Sequence, residues 1–257
     1  MEIQTLIDRK NERLYAKIKD HFEIQLIENQ DWREEAWSSS VEKDTVVIKY
    51  CSTTFPRAAF AHELLHIDAQ IKGFREVSSG TSLNKETQQF LPTIIKYLNI
   101  TFQHHKIAKP FLLMGYPSEQ FYDAEEYPMV DHLLNELEKE GHSRLYLILL
   151  YLDFIAPLTG ITEDQKQALQ IAFGKYSGGK FKQTFFRIDE IIQHWINDDG
   201  YIAEAYFIDF LSTAGIKDTW LSYEKNALDN IEHHFPKSGF FIGNSFTTLD
   251  IEKKKDE

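Results

Sequence analysis

One cysteine, Cys51, stands in 257 residues. No disulfide can form within the chain, so the fold has to rest on packing, as expected in a reducing compartment; the thiol reads as a small buried hydrophobe. Long apolar runs are also missing. The strongest, RLYLILLYLDFIAPL from Arg144, is too short to span a bilayer and is interrupted by Asp153 and Pro157. It reads as the buried central helix of a bundle. The opening MEIQTLIDRKNERL carries an acid at its second position and no apolar core, unlike a secretory leader, so a cytoplasmic location is expected. Positive charge is in deficit, with 28 Lys and Arg against 40 Asp and Glu and a net charge of −12. That balance argues against nucleic acid or an anionic membrane as the main partner. What remains is a globular composition, 42% hydrophobic and 14% aromatic, long enough to bury a substantial core.

Against that background, AFAHELLHIDAQ, Ala59 to Gln70, stands out. His62 and His66 lie four residues apart, so on a helix they sit about 40° apart around the axis and about one turn apart along it, and both imidazoles reach one metal ion. Neutral imidazole nitrogens suit Zn²⁺. Glu63, on the neighbouring face, is placed to take a proton from metal-activated water and pass it to a leaving amine. The implied chemistry is hydrolysis of a peptide-like bond.

Context supports the motif. TVVIKY, Thr45 to Tyr50, predicts a strand; CSTTFP is a turn, and Ala58, Ala59 and Ala61 begin the helix. With this strand, turn and HELLH helix, the chain resembles the zincin metallopeptidases over roughly residues 40 to 125. The resemblance implies that His62 and His66 are zinc ligands and that Glu63 is the general base.

Catalytic zinc generally has three protein ligands and an open fourth position, so one ligand must come from further along. Three residues compete. Glu86 lies twenty residues beyond His66, similar to the spacing in thermolysin-like peptidases, but Phe90 stands where an acid is expected to follow, and Pro92 predicts that Glu86 falls in the loop before the next helix. His104 and His105 lie in that helix, expected from Pro92 to about Ala108. Helical spacing does not separate them, since His105 continues the row Leu91, Ile94, Leu98, Phe102 while His104 shares a face with Tyr97, Ile100 and Ile107. The run LNITFQHHKIAKPFLLMGY also resembles a segment of uncharacterised bacterial HELLH proteins, which favours His104 as the ligand, with His105 facing substrate or supporting a ligand.

The rest of the chain predicts scaffold. Residues 2 to 20 read as one amphipathic helix and Phe22 to Ile27 as a strand. Asn29 to Asp44 and Arg75 to Lys85 read as polar loops, with Gly73 ending the HELLH helix. After it come an aromatic cluster of Phe111, Tyr116, Phe121, Tyr122 and Tyr127, in which a tyrosine near the zinc would stabilise an oxyanion, and the acids Asp123 and Glu125. From Pro128 the sequence predicts helices nearly to the end, including one over WLSYEKNALDNIEHHF, in which His233 and His234 cap the helix end.

The expected architecture is α+β and mostly α: a small zincin-like strand and helix core over residues 1–125, a helical bundle over 126–246 that covers it or gates the cleft, and a mobile tail over 247–257. A peptide or protein substrate is implied. Two rival readings are a non-catalytic interaction module stapled by metal and a regulatory protease with one protein target.

Overall fold

The computed structural model describes residues 1–29, 37–122, 130–139, 143–176, 182–223 and 239–242. Its architecture is α+β with helix predominating. Among the described residues no helix is long and apolar enough to cross a membrane.

The predicted first helix divides into α1 (Ile3–Leu6) and α2 (Glu12–Lys19). Asp8 and Asn11 cause the break. Asp8 Oδ1 accepts from the Lys10 and Asn11 backbone amides, Asn11 Oδ1 accepts from the Asp8 amide, and Asn11 Nδ2 donates to the Leu6 carbonyl. Short polar side chains here bond the backbone in place of the helix ladder.

Three strands follow where two were expected: β1 (Glu23–Glu28), β2 (Ser38–Glu42) and β3 (Thr45–Tyr50). β3 is central, parallel to β1 and antiparallel to β2, with Val41 opposite Val46 and Ser39 opposite Ile48. β2 lay inside an expected loop because three serines and no apolar alternation carry no strand signal; pairing to the buried β3 supplies the order. Lys43 takes a positive φ of 56° in the tight turn between them.

The HELLH helix is α3 (Pro56–Ile71), with Pro56 in its first turn. It ends as predicted at Gly73, whose φ of 110° favours glycine; the Gly73 amide bonds the Gln70 carbonyl and the Phe74 amide that of Ala69. Eleven of the sixteen α3 residues are buried, because two cores meet along it. Phe60, Leu64 and Ile67 face a smaller core with Leu6, Ile18, Val46 and Ile48, whereas Ala58, Ala61, Leu65 and Ala69 face a larger one that extends through the later helices.

The next helix, α4 (Lys85–Leu113), departs from expectation at its start. Asn84 caps it by accepting from the Thr87 amide, so it begins seven residues before Pro92. Pro92 and Pro110 both lie inside it, each at the loss of one ladder bond. At about 43 Å it spans the molecule and packs on α3.

β4 (Val77–Ser82) replaces the second predicted loop. It joins β5 (Thr219–Tyr223) and β6 (Gly239–Ile242) in an antiparallel sheet with β5 central. Gly80 is required there, since a Cβ would lie 2.6 Å from Leu221 Cδ2 and 2.9 Å from the Trp220 carbonyl oxygen. The expected helix over WLSYEKNALDNIEHHF is therefore corrected at its start, where Thr219–Tyr223 is a strand; His233 and His234 lie outside the described residues. The expectation of helix nearly to the end is likewise corrected by β6.

The remaining helices are α5 (Val130–Glu138), α6 (Arg144–Ile155), α7 (Glu163–Tyr176), α8 (Lys182–Asn197) and α9 (Glu204–Thr213). α6 is central, as its apolar sequence predicts, and packs on α4. The fully buried Trp195 of α8 donates its indole N–H to the Phe102 carbonyl at 2.7 Å, pinning α8 across α4.

Candidate metal centre

α3 and α4 together build the site. His62 and His66 project one turn apart from α3, and α4 crosses so that His104 meets them. His62 Nε2 lies 2.9 Å from His66 Nε2 and 3.3 Å from His104 Nε2, and ligand atoms of all three fall within 4.8 Å of one another. Nitrogens held about 2.0–2.1 Å from one tetrahedral zinc would stand about 3.4 Å apart, so the observed spacings fit a metal with little movement.

The protonation state fits too. Burial drives the His62 pKa well below its ordinary 6.5, helped by the charge His66 would carry and opposed by the Phe121 backbone, although among the described residues the buried Nδ1 makes no hydrogen bond of good geometry. Burial lowers His66 to about 4, against a hydrogen bond that the ring donates to the Gln103 side chain. His104 is pushed down by burial and then by His62, His66 and His105. All three rings are therefore neutral at neutral pH, the form that ligates metal. Three neutral imidazoles whose Nε2 atoms converge at these distances can turn their lone pairs to one point, where a metal cation would be held.

Glu63 is buried on α3 and lines the same cleft. Its backbone carbonyl accepts from Ser39 Oγ at 3.4 Å, tying β2 to the HELLH helix. The cleft has a volume of about 680 Å³ and opens between β2, α3, α4 and α6. A site open to such a space differs from a closed metal staple.

The other candidates separate clearly. Glu86 is exposed in the first turn of α4, where a loop was predicted, roughly 27 Å along the helix from His104, and is not part of the histidine group. His105 is not part of the group; its ring is lowered to about 4 by burial, and its Nε2 has no hydrogen-bond partner among the described residues. Of the aromatic cluster, Phe121 packs on His62 with ring centroids 4.5 Å apart, and Tyr122 lies 5.4 Å from His104 and lines the cleft. Tyr116 is instead core, bonded to Asn11 and Asp8. Asp123, Glu125 and Tyr127 lie outside the described residues.

Two features had no separate reading in the sequence. Gln103, only 3% exposed, donates Nε2 to the His66 carbonyl at 3.3 Å and also bonds the His66 ring, so it clamps that residue from the helix carrying His104. Its one sequence signal is adjacency to His104. Asp153 and Tyr97 also line the cleft, joined by a 3.2 Å bond from the phenol to Asp153 Oδ2. The visible trace of that pair is an acid interrupting an apolar helix. No protein-family model, curated protein or solved structure matches this chain.

Proposed function

We propose that the protein is a zinc-dependent hydrolase of peptide or related amide bonds, with His62, His66 and His104 as the metal ligands. The observation that carries this reading is the convergence of the three imidazoles beside a cleft that Glu63 also lines. Zinc held there would polarise the scissile carbonyl and acidify water. Glu63 removes a proton from the attacking water and returns it to the departing nitrogen, a transfer that requires a carboxylate beside the metal but not bound to it. The Tyr122 phenol donates to the oxygen on which negative charge develops. Gln103 bonds the His66 ring and would fix its orientation for ligating a metal, the usual work of a ligand's outer hydrogen bond. β2, an edge strand among the described residues, contributes Ser38 and Ser39 to the cleft and offers backbone to an extended chain, as the zincin resemblance implies. The single cysteine and the acidic balance support a cytoplasmic protein whose substrate is a peptide or protein.

The test is metal content. Purified protein should carry about one zinc per chain, and His62→Ala, His66→Ala and His104→Ala should each lose most of it. Full occupancy in all three variants would place the metal elsewhere. A loss at the first two with full retention in His104→Ala would replace only the third ligand.

A further inference from the structure

The cleft does not end at the histidines. On α4, Tyr97, Ile100, Thr101 and His104 fall on one face, and Tyr97 and Ile100 line the cleft together with His104. Tyr97 precedes His104 by seven residues, hence roughly 10 Å along the helix, the span of about three residues of extended chain. Between them Ile100 is 40% exposed, an apolar step on the cleft wall. Beyond it α6 brings in Asp153, whose Oδ2 accepts from the Tyr97 hydroxyl.

That carboxylate is a costly feature for a packing helix. From Leu145 to Ile155, Asp153 is the only charged side chain, and eight of its neighbours on α6 are buried hydrophobics. A leucine there would serve packing better, because a carboxylate gives up solvation when it leaves water. Burial accordingly raises its pKa to about 6, while Tyr97, His132 and Lys96 act in the opposite direction. Lys96 and His132 are both exposed, so solvent screens their pull.

We propose that Asp153, oriented by Tyr97, is a specificity-determining residue that receives a cationic group of the substrate, an alkylammonium or guanidinium, after an apolar segment laid over Ile100. This rests on the hydrolase reading and adds a substrate class to it. Two sources present that chemistry: a Lys or Arg side chain, whose methylene stem suits Ile100, and a free amino terminus.

The experiment uses short peptide hydroxamates, which chelate an open zinc site. Lysine or the neutral isostere norleucine is placed at each of the first three positions from the hydroxamate, with the amino end acetylated in one series and free in another. Dissociation constants are measured by calorimetry on the full-length zinc-loaded protein and on Asp153→Asn, in which the amide oxygen still accepts from Tyr97. The expected result is that lysine binds about tenfold tighter than norleucine at one position in wild type, that Asp153→Asn brings the ratio close to one, and that norleucine affinity is unchanged. A preference confined to the free amino end, and lost in Asp153→Asn, assigns the cation to a substrate terminus. Equal binding of lysine and norleucine with no effect of acetylation overturns the proposal, as does a preference that survives Asp153→Asn. Lys96→Gln, an exposed change, should increase the preference; a decrease also overturns it, and this arm stands if Asp153→Asn fails to fold. If no hydroxamate binds at all, the zinc reading itself fails and the proposal falls with it.

Discussion

α3 and α6 are both buried almost all the way round, yet they treat polar residues differently. α6 carries one ionisable side chain between Tyr151 and its end, Asp153, and otherwise packs with leucine, isoleucine and aromatics. α3 buries His62, Glu63, Asp68 and Gln70 within nine residues. Two of these are structural ties. Asp68 accepts from Lys17 at 2.5 Å and from Lys72 at 2.7 Å, joining α2 to α3, and Gln70 donates to Glu76 at 2.7 Å. The histidines and Glu63 instead face an open cleft. A helix that serves two cores and a cleft has no single apolar face, so its polar residues mark either a tie or a site; α6, inside one core, carries its one carboxylate where it touches that cleft.

The largest effect expected from this contrast is on catalysis. Glu63→Gln keeps the shape of the side chain and removes the proposed base, so on the hydrolase reading peptide cleavage should fall about 10²–10⁴-fold with zinc content and melting temperature near wild type. Equal activity of the two proteins, in an assay where His62→Ala is dead, would remove Glu63 from that role.

Apolar positions should not distinguish the helices. Phe60→Ala on α3, fully buried in the smaller core, should cost about 3–5 kcal/mol by denaturant unfolding, and Leu150→Ala on α6 about 2–5 kcal/mol. A loss below about 1 kcal/mol at Phe60 would mean that α3 is not held between two cores.

Gln103→Ala should weaken zinc binding about 10–100-fold in competition with a chelator, because it frees the His66 ring without removing a ligand. Gln103→Glu, which retains an acceptor for the ring, should recover part of that loss. If Gln103→Ala binds zinc as tightly as wild type, the clamp is structural only.

The smallest effect is a pH slope. In zinc-free protein His66 and His105 have pKa values near 4, below the ordinary 6.5, so between these values the unfolded chain binds protons that the folded chain does not. Their contribution to stability is present above about pH 6.5 and lost as pH falls toward 4, at up to about 1.4 kcal/mol per pH unit for each histidine. Unfolding free energies at several pH values, for wild type and His105→Gln, should show the shallower slope in the variant. Equal slopes would place His105 in water.

What could be read without coordinates followed from local rules. The spacing of His62, Glu63 and His66, the β3 strand, the Gly73 stop, the apolar α6 and the predominance of helix each depend on contacts within a few residues or on backbone period. The Ser-rich β2 and β4 were hidden because their order comes from partners elsewhere: β3 for one, β5 for the other, the latter more than 130 residues away in the chain. Pro92 misled in the opposite way, since proline inside α4 is tolerated when the cap at Asn84 and the packing of the helix outweigh one lost bond. The sequence by itself therefore determined which residues have the chemistry of a metal site and which helix presents two of them. Only the tertiary structure decided that His104 joins them while His105 and Glu86 do not, that Gln103 clamps His66, and that Asp153 from α6 enters the same cleft. The physical reason is that adjacent helical residues point about 100° apart, so the crossing of α4 over α3, set by side chains packed in two cores, selects one histidine of the pair.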